Sequence, residues 1–291
     1  MNDRRPIAGE RGAGARVREL GRRAMVRATR VLFGGYVAPL DYPPTADPRP
    51  RWGHGRPPHP RLAALIGAHE EAYRATLERV AAHAGDLARL PRDLWDTRWQ
   101  PNLDAAVLYA LVRDARPATY VEVGSGVSTA FADAARRDGG LPTRIVSIDP
   151  GPRTGHAGLA DEVVARPLEL TDLSRFDALR EGDVVFMDGS HRAFMSSDAT
   201  VFLLDVLPRL SPGVLVGIHD VLLPDDYPPQ WRHWHYSEQY LLAAYLLGGG
   251  RGIEPVFAAH HMSARADPAV WERIGVAPGE GVAFWLRVSA R

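Results

Sequence analysis

The stretch Thr119-Tyr-Val-Glu-Val-Gly-Ser-Gly-Val-Ser-Thr129 decides the fold. Tyr120, Val121 and Val123 have strand propensity, and Glu122 stands where the strand ends. Gly124 and Gly126, with Ser125 between them, allow a tight turn and the close approach of a ligand. Ser128 and Thr129 are placed to cap the helix that continues through Ala130–Arg136. A glycine turn that opens a helix presents free backbone N–H groups, which suits a nucleotide or a carboxylate. Gly-x-Gly occurs in many tight turns, so its weight comes from the next unit, Arg144-Ile-Val-Ser-Ile-Asp149. This is a second short apolar strand ending in an acid, about 20 residues on, where ribose-binding acids sit in nucleotide folds.

Outward from these two units the pattern alternates strand and helix. A short strand is expected near Val163–Ala165, another over Asp183–Asp188, a helix over Ala193–Leu210 and a strand over Gly213–Ile218, followed by His219-Asp220. Tyr236–Leu247 reads as a long apolar helix, and Glu254–Ala258 and Gly281–Val288 as two late strands. The alternation implies a parallel α/β sheet. Two late strands with little helix between them predict a terminal hairpin, one strand antiparallel to the rest. That departs from the simple doubly wound dinucleotide fold. A nicotinamide-dependent oxidoreductase is the rival reading of the glycine turn and Asp149, and Thr129 counts against it by standing where the third fingerprint glycine belongs.

Towards the N-terminus, Arg61–Leu90 has the spacing of one amphipathic helix, with His69 on its apolar stripe as a packing residue. Asn102 can cap a further helix that Pro117 ends. Residues 1–60 differ. Nine arginines up to Arg30 face only Asp3, Glu10 and Glu19, and Val17, Leu20, Met25, Val26, Val31, Leu32 and Phe33 could give a basic helix an apolar side. Such a helix could lie on an anionic membrane surface or a partner, or pack on its own domain. Prolines from Pro39 to Pro60 then read as an extended linker. The expected organisation is a basic, proline-rich arm over 1–60, a helical cap over 61–118 and a ligand-binding domain over 119–291.

Composition excludes several function classes. The 291 residues carry 35 basic and 35 acidic side chains, so net charge gives no case for nucleic-acid binding. With no cysteine, thiol catalysis, disulfides and thiolate metal sites are all absent. There is no lysine either, so no lysine serves as a base. No apolar run is long enough to span a membrane, and Arg27 and Arg30 interrupt any signal-peptide core. A cytoplasmic protein is expected.

Taken together, Glu122-Val-Gly-Ser-Gly-Val-Ser-Thr129, Ser147-Ile-Asp-Pro150, Phe186-Met-Asp-Gly-Ser-His191, Leu207-Pro-Arg-Leu-Ser-Pro-Gly213 and Ile218-His-Asp220 resemble a class I S-adenosylmethionine-dependent methyltransferase of the methyltransferase-24 type. The resemblance covers about Asn102–Val288, with the motifs in order, and leaves the arm outside. It implies a Rossmann-like seven-stranded, mostly parallel sheet with a C-terminal antiparallel hairpin and helices on both faces. It implies that Glu122, the Gly124-Ser125-Gly126 turn and Ser128 hold the amino-acid part of S-adenosylmethionine. By the same resemblance Asp149 takes the ribose hydroxyls, Glu169 meets the adenine or is a surface acid, and Asp188 ends the fourth strand on the methyl side.

The methyl acceptor implied is a small molecule, methylated at oxygen. Its proton must be removed by a group near the site, and Asp188, His191, His219 and Asp220 are the groups available. His191 or His219 is the candidate base, since an imidazole titrates near neutral pH. In related metal-dependent enzymes an acid after the fourth strand and an Asp-Asn or Glu-Asp pair after the fifth hold magnesium. Here the pair is His219-Asp220, and imidazole suits manganese, iron or zinc better. A divalent metal on Asp188, His219 and Asp220 and metal-free base catalysis both stay open. Trp231, His233, Trp234 and His235 could form a lid, and Asp225, Asp226 and Tyr227 could touch the acceptor. His260-His261 beside a late strand would point to opposite faces and not chelate as a unit. A cofactor-binding module without catalysis, tethered by its arm, is the remaining alternative.

Overall fold

The structure, a computed structural model, describes residues 49–96, 100–152, 156–275 and 281–290, with helical positions 20, 21, 24, 25, 27, 28 and 31 of the arm. The rest of the expected basic helix and the linker prolines up to and including Pro48 lie outside the described residues. The chain divides into two compact units, Met1–Pro48 and Arg49–Arg291.

The sheet has seven strands: β1 Thr119–Val123, β2 Arg144–Ile148, β3 Glu162–Val164, β4 Val184–Met187, β5 Leu215–Ile218, β6 Ile253–Ala258 and β7 Phe284–Val288. Their order is β3-β2-β1-β4-β5-β7-β6. β1 pairs in parallel with both β2 and β4, β2 with β3 and β4 with β5. β7 runs antiparallel to both β5 and β6. The central strands are short and buried on both faces, as a parallel sheet covered by helices requires. Pro255, which has no N–H to donate, sits on the edge strand β6 beside a register shift.

The antiparallel late pair expected from sequence is present, but it is not a tight hairpin. Two short helices, Ala259–Ser263 and Pro268–Ile274, fill the connection. His260 and His261 therefore lie on a helix and still diverge: His260 meets Asp225 at 3.1 Å and His261 meets Glu70 at 3.0 Å.

We number the principal helices α1 Pro60–Gly67, α2 Glu70–Ala82, α3 Asn102–Ala115, α4 Val127–Asp138, α5 Asp198–Val201, α6 Glu238–Leu247, α7 Ala259–Ser263 and α8 Pro268–Ile274. The single helix expected over Arg61–Leu90 breaks at Ala68-His69, because its two halves bury different faces. Leu62 and Ile66 of α1 are buried where it packs on α6, and Tyr73, Leu77 and Val80 of α2 are buried where it packs on β6 and α8. The helix expected over Ala193–Leu210 starts only at Asp198 and passes through a π-turn over Phe202–Val206. α3 is buried from Leu103 to Val112 and ends at Arg116, whose φ of 50° reverses the chain before Pro117.

Residues 49–59 belong to the same compact unit as the sheet, whereas the expected arm ran to residue 60. Their backbone is fastened to the loop after β5. Arg51 N donates to the Asp226 carboxylate at 2.9 Å, Asp226 N to Trp52 O at 3.2 Å and His59 N to Pro224 O at 3.1 Å. The His54 ring meets Asp226 O at 2.9 Å.

Candidate active site

A cavity of about 560 Å³ opens at the carboxyl ends of β1, β2, β4 and β5. Open α/β sheets bind ligands there, because the strand ends feed loops and helix N-termini into one crevice. Gly124, Ser125, Gly126, Asp149, Glu169, Asp188, His191, His219 and Asp220 all line it, and sequence distances of up to about a hundred residues are closed by the sheet order.

One end of the cavity is built by the glycine turn. Gly124 has a φ of +84°, and a Cβ there would lie 1.9 Å from the Asp188 carbonyl oxygen. Only glycine lets β1 and β4 end side by side. A Cβ on Gly126 would meet nothing within 4 Å and would project into space that the cavity occupies. The Asp149 carboxylate accepts from Ser125 N at 2.8 Å, Ser125 Oγ at 2.7 Å and Gly151 N at 2.8 Å. It thereby ties the turn after β1 to the end of β2 while still facing the cavity. Glu169 is exposed on the opposite wall, beside Pro167 and Leu168.

Glu122 and Ser128 are placed otherwise than the resemblance implied. Neither lines the cavity. The Glu122 carboxyl is fully buried and accepts from Ser128 Oγ at 3.1 Å and from Thr129 Oγ1. Gly126, not Ser128 or Thr129, is the N-cap of α4, and Thr129 Oγ1 reaches back to Gly126 N at 3.2 Å. Strand alternation turns Glu122 away from the crevice and under the first turn of α4. Burial pushes its carboxyl up to about 8, against the hydroxyls of Thr129 and Ser128.

The other end of the cavity holds two imidazoles and two carboxylates in alternation. His191 Nε2 is 3.3 Å from Asp188 Oδ1 and 3.4 Å from Asp220 Oδ2. His219 Nδ1 is 3.5 Å from Asp188 Oδ1 and 3.5 Å from Asp220 Oδ1. Each ring has a second, buried acid on its outer nitrogen: Glu238 lies 2.5 Å from His191 Nδ1, and Asp104 lies 3.5 Å from His219 Nε2. Tyr236 covers His191, ring centroids 4.6 Å apart, and also lines the cavity. His191 and Asp220 have φ of 60° and 55°. Such left-handed backbone in bulky residues is strained and is held by its surroundings.

The electrostatics follow from this packing. Burial disfavours a charged His191, but Glu238, Asp188 and Asp220 outweigh it and hold the imidazole well above its ordinary range. His219 is raised in the same way, burial being overcome by Asp188, Asp104 and Asp220. Burial would raise Asp188, yet His219 and His191 pull it well below the usual carboxylate range. Asp220 is raised by burial, which the two imidazoles only partly offset.

A metal on Asp188, His219 and Asp220 is not supported. Among the described residues no group of three or more histidine and acid side chains is arranged to hold a metal ion.

Three residues of the site were missed in the sequence: Asp104, Glu238 and Tyr236. Asp104 accepts from Val282 N at 2.8 Å and Ala283 N at 3.1 Å, joining α3 to the approach of β7. The available signal was an acid inside a buried apolar helix, at Asp104 in α3 and Glu238 in α6, where an unpaired charge is costly. Trp231, His233, Trp234 and His235, expected as a lid, do not line the cavity, whereas the neighbouring Tyr236 does. Nor do Asp225 and Asp226, which pair with His260 and with Arg51 N and Tyr240.

The sheet order with β7 inserted antiparallel between β5 and β6 departs from the all-parallel dinucleotide fold. Residues 121–221 match the family described as "Methyltransferase domain". Over these residues, about a third of its length, the chain is similar to a methyltransferase domain. That match spans the glycine turn through Asp220, the whole of the cavity's strand-end residues. No protein of curated function matches the chain. Among solved structures, an O-methyltransferase from Bacillus cereus in complex with SAH is 16% identical, covering 79% of this chain and 99% of that one, with a TM-score of 0.40. The SAH-bound methyltransferase of Podospora anserina is 19% identical, covering 82% of this chain and 100% of that one, with a TM-score of 0.42. At these scores the domain match and the sheet order carry the assignment, not the neighbours.

Proposed function

We propose that this methyltransferase transfers the methyl group of S-adenosylmethionine to a hydroxyl oxygen of a small molecule, with His191 as base. The observation that carries the reading is one cavity with a glycine cradle and Asp149 at one end and an imidazole flanked by carboxylates at the other. The space beside Gly126 fits the cofactor, since a side chain there would fill it. Ser125 and Gly126 would hold the amino-acid end, Asp149 the ribose hydroxyls, Glu169 the adenine side, and Asp188 the methyl-bearing end. When bound, S-adenosylmethionine supplies an already activated methyl group, so the protein has only to orient the acceptor and remove its proton.

His191 is favoured over His219 by its surroundings. His219 Nε2 is buried without a hydrogen bond, with Asp104 at 3.5 Å, so that ring lacks the close orienting partner that His191 has. His191 turns Nδ1 to Glu238 and Nε2 to the side of the cavity where Asp188 and Asp220 lie. Tyr236 and Arg192 form the wall over it, and the Tyr236 ring gives an acceptor a flat surface to lie on.

The nicotinamide reading loses its support with the antiparallel β7 and the domain match. Among the described residues no helix is long and apolar enough to cross a membrane. A cytoplasmic location, where the cofactor is made, belongs to the same proposal. Calorimetric titration with S-adenosylhomocysteine and with NAD tests the reading: the first is expected to bind and the second not to. Binding of NAD alone would overturn it.

A further inference from the structure

Resting on the reading above, the geometry points to Glu238 as the positioning residue that fixes His191 in the orientation and tautomer a base needs. Glu238 is the first residue of α6 and is almost fully buried. Its Oε1 lies 2.5 Å from His191 Nδ1, the shortest contact that ring makes. The same helix start grips the backbone of the loop after β4. Ser237 N donates to His191 O at 2.8 Å, Glu238 N to His191 O at 3.3 Å, and Ala193 N to Ser237 Oγ at 2.8 Å. Residue 191 is thus held at both its carbonyl and its ring by two consecutive residues of one element.

That clamp explains a strained feature. His191 has a φ of 60°, which a bulky residue adopts only when its surroundings determine it. The two N–H groups at the start of α6 supply that determination at the carbonyl, and the Glu238 carboxylate supplies it at the ring. An imidazole that keeps its proton on Nδ1 has its lone pair on Nε2, on the side where Asp188, Asp220 and the cavity lie. The groups facing the ring are Glu238 on Nδ1, Asp188 and Asp220 on Nε2, and Tyr236 on its face, with Arg192 packed over Tyr236. Among them only Glu238 selects between the two nitrogens from behind. Asp104 stands in the corresponding place behind His219, but at 3.5 Å and already taken up by two backbone N–H groups. It is the natural control.

The test is nitrogen NMR of the full chain labelled with ¹⁵N-histidine, the His191 signals being assigned with His191→Gln. Above the titration of the ring, native His191 is expected to carry its proton on Nδ1. In Glu238→Leu, which leaves no acceptor, the preference for that tautomer should fall about tenfold or more, the bias a charge-assisted hydrogen bond confers. Glu238→Gln, a neutral acceptor of the same shape, should restore it in large part, and Asp104→Asn should leave His191 unchanged. S-adenosylhomocysteine affinity should stay within about twofold of native in all three, since none touches the glycine cradle. A proton on Nε2 in the native protein overturns the inference. So does a Glu238→Leu variant that keeps the Nδ1 tautomer. If Glu238→Leu fails to fold, the native spectrum and Glu238→Gln still decide. Failure of S-adenosylhomocysteine to bind the native chain would remove the parent reading while leaving the tautomer result standing.

Discussion

Replacing Asp149 by asparagine separates the turn's own stability from ligand binding. The native carboxylate accepts three hydrogen bonds, two from Ser125 on one oxygen and one from Gly151 on the other. Asparagine offers a single acceptor oxygen, and its NH₂ must face either the Ser125 donors or the Gly151 N–H. At least one charge-assisted bond is lost and becomes a donor–donor contact. Hydrogen bonds to charged groups contribute about 1.5–3 kcal/mol each. The turn after β1 should loosen by about that amount, which urea unfolding will register. Asp149 lines the cavity, and on the proposed reading its one remaining acceptor site on Oδ1 serves the ribose hydroxyls, so the affinity for S-adenosylhomocysteine should fall by a similar amount. At 1.4 kcal/mol per tenfold, that is a Kd raised roughly 10- to 100-fold. Calorimetric titration measures it directly, with circular dichroism confirming the fold. A variant that is less stable but binds with native affinity would show that Asp149 only braces Ser125. A variant unchanged in both would falsify the reasoning at both ends.

The other predictions concern the cradle, the buried acid, the boundary and the metal. Gly124→Ala places a Cβ 1.9 Å from the Asp188 carbonyl oxygen at a φ of +84° and should cost about 2–5 kcal/mol in denaturant unfolding; a loss under about 0.5 kcal/mol would refute the close approach. Glu122 is raised to about 8 from 4.5, so the folded state holds a proton that the unfolded state releases. Its contribution to stability is full below 4.5 and disappears as pH rises through about 8, and Glu122→Gln should flatten that fall in a pH series of melting temperatures. A chain begun at Arg49 should melt like the folded unit it retains, whereas one begun at Pro60 loses the bonds from Arg51, Trp52, His54 and His59 to the loop after β5, about 2–4 kcal/mol. Equal melting of the two would show that the segment does not brace that loop. Exhaustive chelation should leave S-adenosylhomocysteine affinity and methyl transfer intact; stoichiometric metal by elemental analysis, with turnover lost on its removal, would replace the base reading by a metal one.

The sheet and the strand-end residues that line the cavity were legible in the sequence because their signals are local. A strand, a glycine turn and a helix lie within eleven residues at 119–129, and Asp149, Asp188 and Asp220 each follow a short apolar run. The parallel order then brings those run ends together. What escaped is non-local. Glu122 carries the motif's acid, but strand alternation and two hydroxyls of α4 turn it inward. Asp104 and Glu238 reach the site from helices 115 and 47 residues away from the histidines they face, and nothing in their neighbourhoods marks them except an acid in an apolar helix. The break between α1 and α2 was equally hidden, since a continuous stripe of apolar residues does not say that its halves pack on different partners.

The charge pattern at the methyl end ties these late arrivals to the chemistry. Without Glu238 and Asp104, two imidazoles would share only Asp188 and Asp220, and each buried cation would be poorly compensated. With them, each ring has an acid on either side, and those acids hold both imidazoles well above their ordinary range. A protonated imidazole is no base, so His191 must lose its proton before it can take one from an acceptor. On the proposed reading, Asp188 is the carboxylate that faces the positively charged end of the cofactor. Whatever share of its charge goes to that end is withdrawn from His191 Nε2, 3.3 Å away. The shift lowers the ring's affinity for its proton, by the same charge coupling that raises it in the empty site. Glu238 would then hold the proton that remains on Nδ1, and the proton leaving Nε2 would pass to solvent through the cavity that His191 lines. On the proposed reading the base would become available when the methyl donor is in place, and that needs both the strand-end acid that the sequence displays and the helix acid that it conceals.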